Sequence, residues 1–493
     1  MTPQRLNNSS LHKLPGSVSV PDYARSGISP GIVHVGVGNF HRAHEAYYTD
    51  QLLNKGESAW GICGVCLLEN DLKMYQTLVS QDGLYALVIK EADGSRRVRV
   101  IGSIVEYLYA PSDPSAVIAK MADPSIRIIS LTITEGGYNY DPSTGKFNFK
   151  NPDIQWDLRH PSRPRTIFGY LTAAFRLRQQ NGVPGLTVLS CDNIQQNGSV
   201  CRNMLRTYMG ESMPELRDWA AEQVSFPNSM VDRITPVTTT RDVEELRDRF
   251  HLEDSWPVSC EPFIQWVIED HFSRGRPPWE KAGVQFTEDV EPYEKMKIRL
   301  LNAGHSLMGF TGTLMGYSTI YEAVGDDLIR RFLQGFMDQE VTPVLGPVEG
   351  IDLTSYKETL MQRFANPHME DRLSRICSES SSKIPKFLIP TIEEQLERGG
   401  HVKYSALIIA AWCRTLEQPG TGGSGPEVRD VMGDMLVQRA ITSRDKDPLA
   451  FLKIPEIFGD LHRSGRFVRT YLPVMEHLRT HGPAATISHV LKV

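Results

Sequence analysis

Short unbroken apolar runs punctuate the first half of the chain, and each one ends in small or polar residues. Residues 31–35 (GIVHV), 61–67 (GICGVCL), 126–134 (IRIISLTIT) and 185–193 (GLTVLSCDN) are short and rich in β-branched side chains, which predicts buried strands. Two alternating runs, 84–90 and 96–104, flank Asp93-Gly94, the signal of an antiparallel hairpin. Beyond about residue 286 strand signals become scarce. A 3.6-residue period then predicts helices over 326–340, 353–365, 402–416 and 465–480. The pattern is that of an α/β fold: a doubly wound, mostly parallel sheet with an antiparallel insertion, followed by a largely α-helical C-terminal domain.

Between these elements lie weaker signals. Residues 1–29, rich in Ser, Pro and Asn, read as a poorly structured lead-in. The charge-rich stretch 271–283 reads as a surface connection, which divides the chain into domains at 30–285 and 286–493. A strand and then a helix are expected within 256–270, with Pro262 against one uninterrupted helix. The serine-rich 375–391 reads as a polar loop, and the glycine-rich 417–427 as an exposed flexible one.

The first strand runs directly into Gly36 and Gly38, and a helix is expected from about His41 until Gly56 ends it. Strand, glycine turn and helix in that order bring a pyrophosphate against backbone N–H groups. The strict G-x-G-x-x-G fingerprint is not met, because His41 stands at the third glycine position. Gly36, Val37, Gly38, Asn39 and Phe40 are the candidate cofactor residues of this turn. After the second strand, Asp71, with Glu69 in reserve, is placed to accept ribose hydroxyls, which would favour NAD over NADP. Ligands of doubly wound sheets lie beyond the carboxyl ends of the strands, so Glu135, Gly136 and Asn193 should border the same crevice.

The chemistry is expected on residues 294–310, EKMKIRLLNAGHSLMGF. At about 100° per residue, Asn302 falls roughly 140° and His305 roughly 80° around the helix from Lys297, so all three share one broad polar face. An amine, an amide and an imidazole suit removal of a proton from an alcohol. On spacing alone, a solvated face with a lysine and a core histidine is the favoured reading. Asp232, between apolar neighbours, reads either as a salt-bridge partner or as a catalytic one.

Composition narrows the function. A formal charge of -6 over 493 residues argues against nucleic acid as a partner. No run of 18 apolar residues predicts a membrane span. The seven scattered cysteines and the lack of an apolar leader point to a cytoplasmic protein. Cys63 and Cys66 form a CGVC inside a strand, with no second pair to complete a zinc site, and read as core.

Five segments in order, GVGNFHRAH at 36–44, TITEGGY at 132–138, SCDN at 190–193, SFPNSMVDRITP at 225–236, and Lys297, Asn302 and His305 as K-x4-N-x2-H, resemble the polyol-specific long-chain dehydrogenases. The resemblance implies a Rossmann-like NAD-binding domain, a helical substrate domain and no metal. It implies that Lys297 is the general base, that Asn193 and Asn302 stabilise the alkoxide, and that His305 contacts the sugar alcohol. Asp232 matches a family aspartate, and Glu294 an acid that passes the proton to solvent. Arg375 and Lys383 match substrate contacts. Two positions depart from the pattern: Arg299, where some relatives have a small residue, and Asn70, where some have an acid.

The activity so implied is reversible, NAD-dependent oxidation of D-mannitol to D-fructose by a monomer. Rival readings are a tagaturonate or fructuronate reductase, a mannitol-1-phosphate 5-dehydrogenase, and a non-catalytic NAD-binding regulator. A zinc-dependent alcohol dehydrogenase is disfavoured by the missing ligand spacing.

Overall fold

The computed structural model describes residues 2–140, 145–417 and 429–492, and these form two compact units, Met1–Glu291 and Pro292–Val493. The glycine-rich 417–427, expected as a flexible loop, lies beyond Glu417 outside the described residues.

The first unit is organised by a five-stranded sheet. Its strands, β1 (Pro30–Val35), β2 (Gly61–Cys66), β3 (Ile104–Tyr109), β4 (Ile128–Leu131) and β5 (Thr187–Ser190), are all parallel and lie in the order β3-β2-β1-β4-β5. That is the order of a doubly wound nucleotide-binding sheet, whose ligand crevice opens where the order reverses, beside β1 and β4. Every residue of β2, β4 and β5 is buried, as the unbroken apolar runs require of strands covered on both faces. The hairpin forms as expected: Tyr85–Lys90 pairs antiparallel with Arg96–Ile101.

Several expectations are corrected. The lead-in is structured. Gln4–Arg5 pairs with Leu252–Glu253, and Val18–Ser19 extends the hairpin sheet. Leu6 and Val18 are buried with Val98, Leu246 and Leu252. Arg25 holds the segment down by donating to the Gly102 and Ile104 carbonyls at 3.0 and 2.8 Å. A polar composition concealed a few spaced apolar anchors. The strand and helix expected in 256–270 are two strands, Val258–Cys260 and Gln265–Glu269. Within 271–283, Trp279 is fully buried against Trp266, with ring centroids 4.7 Å apart. Phe272 and Trp279, seven residues apart among charges and prolines, gave no period to read. The helix expected from His41 to Gly56 begins earlier, at Asn39, and is broken at His44 into Asn39–Ala43 and Glu45–Leu53.

The second unit is helical. Lys403–Leu416 is apolar on nearly every side, as a helix surrounded by others must be, and its Trp412 stacks on Phe310 at 5.7 Å. The helices expected over 326–340, 353–365 and 465–480 are seen as Asp327–Phe336, Leu353–Phe364 and Gly465–Lys492, the last kinked at Gly482. The polar loop expected at 375–391 is instead the helix Ser380–Phe387 followed by the start of Ile389–Arg398. Asp430 accepts from the Ser381 amide and hydroxyl at that N-terminus, and Ile384, Ile389 and Ile392 are buried. No helix among the described residues is long and apolar enough to cross a membrane.

Candidate active site

In the first unit the site is built on strand ends. Gly36 leaves β1 with φ +93°, and a Cβ there would stand 2.1 Å from the Thr132 carbonyl oxygen, so no other residue fits. Thr132 Oγ1 donates to the Gly36 carbonyl at 2.7 Å, locking the β1 and β4 ends together. Val37 is buried, and Gly38 is extended and caps the helix Asn39–Ala43. Asn39 Oδ1 accepts from Arg42 Nη2 at 2.8 Å, while its Nδ2 donates to Pro236 O at 3.4 Å, so the amide is held at both ends. Phe40 stacks on His44 at 4.8 Å.

Below this turn lies a buried polar cluster, His34, His41 and Glu45, the one group of three possible metal ligands among the described residues with donor atoms within 4.8 Å of one another. The His34 ring nitrogens are engaged by the Ser130 and Thr132 hydroxyls at 2.8 and 3.0 Å. The His34 and His41 rings stack 3.4 Å apart at 10°, and Glu45 Oε2 lies 3.0 Å from His34 Nδ1 and 3.7 Å from His41 Nε2. Burial, then His34, Arg42 and His44, push the His41 pKa well down, so it is neutral packing under the glycine turn.

Asp71 stands at the end of β2, where its carboxylate accepts from the Leu68 amide at 3.0 Å and closes the turn Glu69–Asp71. Glu135 and Gly136 lie exposed on the one-turn helix Thr134–Gly137 that follows β4. Asp192 is buried beyond β5. Burial pushes its carboxyl up, against the hydrogen bonds of Tyr138, Ile133 and Thr134. Asn193, next in chain, is exposed. Asp232 ends the strand Ser229–Asp232, buried. Its neighbour Arg233 donates to the carbonyls of Ala43 and Glu261 at 2.6 to 3.1 Å.

In the second unit the site is one helix with an irregular centre. Glu291–Lys297 is α-helical, Ile298–Asn302 is a π-turn, and Ala303–Leu314 is α-helical again. The Ala303 amide donates five residues back to Ile298 O. The regular 100° spacing therefore does not hold. A turn closed five residues apart brings i and i+5 toward one face, which is the separation of Lys297 and Asn302. The solvated-face reading also falls: Lys297 is 6% exposed, Asn302 9%, and Glu294 4%.

Around that helix the ion pairs are specific. Arg299 makes a bidentate contact with Glu394 at 2.7 and 2.9 Å, and Lys295 lies 3.1 Å from the same carboxylate. Arg299 and then Lys295 hold Glu394 at about 2. The unusual Arg299 is thus a strut to the helix Ile389–Arg398. The His305 ring lies 4.9 Å from Phe364, with Nε2 4.0 Å from Asp371 Oδ2. Arg375, 66% exposed, donates to the other Asp371 oxygen at 2.6 and 2.9 Å. Lys383 donates to the Ile376 and Ser378 carbonyls at 3.2 and 2.6 Å, and burial, then Arg375, lower its pKa. Arg42, Asp371 and Glu394 were not legible in the sequence, because their contacts with Trp256, His305 and Arg299 span long stretches of chain.

A parallel sheet with a glycine turn, and a helix carrying a buried lysine and amide, are the parts of a dinucleotide-dependent dehydrogenase. A family model of the mannitol dehydrogenase Rossmann domain matches residues 30–281, and one of the mannitol dehydrogenase C-terminal domain matches 289–478. The mannitol 2-dehydrogenase of Phaeosphaeria nodorum is 45% identical over 489 residues, covering 98% of this chain and 85% of that protein. Pseudomonas fluorescens mannitol 2-dehydrogenase, solved as a ternary complex with NAD and D-mannitol, matches with TM-score 0.88 at 45% identity, over 99% of this chain and 100% of its own. A D-sorbitol dehydrogenase in substrate-free form matches with TM-score 0.91 at 38% identity, over 98% of this chain and 100% of its own. The chain belongs to the mannitol dehydrogenase family.

Proposed function

We propose that this protein oxidises D-mannitol at C2 to D-fructose with NAD, reversibly and without a metal. The observation that carries the reading is the buried Lys297 and Asn302 at the two ends of a π-turn, in a chain of this family. NAD, when bound, supplies the hydride acceptor; Gly36, Val37, Gly38, Asn39 and Phe40 cradle its pyrophosphate, Glu135 and Gly136 border it, and Asp71 takes the adenosine ribose. A free lysine (pKa ~10.4) is protonated at neutral pH, so a lysine base works only where burial favours its neutral form.

Lys297 takes the C2 hydroxyl proton, and the Asn193 and Asn302 amides donate to the oxygen as it becomes an alkoxide. Neutral amides stabilise that charge without adding an anion that would raise the lysine pKa. His305 holds the polyol, Arg375 and Lys383 contact its far end, Glu294 passes the proton to solvent, and Asp232 supports the site. Seven free cysteines support a cytoplasmic setting, and a monomer is the form that the family resemblance implies.

The likeness to a D-sorbitol dehydrogenase favours one second reading, sorbitol as the better polyol. NAD reduction with D-mannitol, D-sorbitol and D-arabinitol, and NADH oxidation with fructose, xylulose, fructose 6-phosphate and fructuronate, test both. Highest kcat/KM for mannitol and fructose is expected. A preference for fructuronate or the phosphate ester, or NADH binding without turnover of any polyol, would overturn the proposal.

A further inference from the structure

Among the described residues, Thr134 is the one β-branched residue whose backbone is left-handed, at φ +63°. That conformation is strained for any L residue and most for a β-branched one, so the surroundings must hold it. It also sits where strain matters, since it opens the turn that carries Glu135 and Gly136. Ile133 before it has φ -110° and ψ 2°, so the two successive amides form a small concavity suited to an anion.

That anion is Asp192. Its Oδ2 accepts from the Ile133 amide at 3.1 Å and its Oδ1 from the Thr134 amide at 2.8 Å. The Tyr138 hydroxyl donates to Oδ2 at 2.7 Å, with Ser190 Oγ 2.6 Å from the same phenol oxygen. On the main-chain side, Asn197 Nδ2 donates to the Asp192 carbonyl at 3.0 Å and to Ser229 O at 2.8 Å. Upstream, the Thr132 hydroxyl grips Gly36 at 2.7 Å. One side chain thus ties the ends of β4 and β5, and through Thr132 the glycine turn of β1.

We propose that Asp192 is a positioning residue for the reaction: its carboxylate holds Thr134 left-handed, and so fixes both the loop bearing Glu135 and Gly136 and the backbone that presents Asn193. What those loops bind rests on the dehydrogenase reading above. The chemistry demands a carboxylate. Three donors converge on two oxygens, and an amide would offer one acceptor while turning its own N–H2 against a second donor.

The test is a strain-relief cycle in the full chain, with NADH affinity read by fluorescence and stability by melting temperature. Asp192→Asn is expected to weaken NADH binding about 10-fold or more, in the range for hydrogen bonds to a charged group, and to lower kcat with mannitol. Glycine adopts positive φ unaided, so Thr134→Gly added to Asp192→Asn should return NADH affinity to within about threefold of the parent. A residue that merely stabilised the fold would give no such rescue. NADH affinity within twofold of wild type in Asp192→Asn, or no recovery in the double variant, overturns the proposal. Should Asp192→Asn fail to fold, Thr134→Gly alone decides: its Tm rises if the strain is real, and an unchanged or lower Tm overturns it. Wild type that binds NADH but turns over no polyol refutes the functional reading and leaves this cycle intact.

Discussion

The dinucleotide-side loops of the first unit and the lysine-bearing helix of the second solve the same problem by opposite means. In the first, position is fixed by the main chain: a glycine no side chain could replace, a strained threonine, and a carboxylate holding consecutive amides. In the second, position is fixed by side chains on one helix, whose central turn is widened and is strapped, with the turn before it, to Glu394. Backbone donors do not rotate away, which suits a constant phosphate group. Side chains on a helix can be tuned one at a time, which suits the proton chemistry.

The largest expected effect breaks the helix side. Lys297→Ala should lower kcat for mannitol oxidation by about 10²–10⁴, the worth of a general base, while NADH affinity by titration stays within about twofold. Loss of both together would place Lys297 on the cofactor side. Next come Asn193→Ala and Asn302→Ala, each expected to cost about 10²–10³ in kcat as one oxyanion donor is removed. They sharpen the comparison because one amide sits on each unit; near-normal turnover in both would refute the oxyanion role.

A smaller and opposite pattern is expected of Gly36→Ala. Its Cβ would meet Thr132 O at 2.1 Å, so the β1–β4 junction must open. NADH affinity should fall about 10-fold or more and Tm with it, within the usual cost of a special backbone position. Unchanged NADH affinity would show that the turn does not hold the cofactor.

Smallest is Glu394→Gln. Arg299 and Lys295 hold this carboxyl near 2 against an ordinary 4.5, so its contribution to stability is present above pH 4.5 and is lost as pH falls toward 2. A Tm loss of about 2–4 °C per kcal/mol is expected, constant from pH 5 to 8 and closing below pH 4.5. A Tm gap that widens in acid would contradict the assignment.

These contrasts also explain what could be read in advance. Apolar runs revealed β1, β2, β4 and β5, because burial on both faces leaves one signature, and Gly36 announced itself by residue type. Lys297, Asn302 and His305 were legible as residues, yet their angular relation was not, since a π-turn carries no periodic mark in sequence. The lead-in was misread because Leu6 and Val18 are isolated anchors, and Trp279 because its neighbours are charged. Asp192, Asp371 and Glu394 meet Thr134, His305 and Arg299 only through the fold, across 58, 66 and 95 residues of chain.

Whether Lys297 is the group that takes the proton is measured most directly by the pH profile of mannitol oxidation. With wild type, kcat/KM should rise with pH along a single limb to a plateau. In Lys297→Ala the limb should vanish along with most of the rate. A variant that keeps the same limb at the same apparent pKa would mean that the base is another residue.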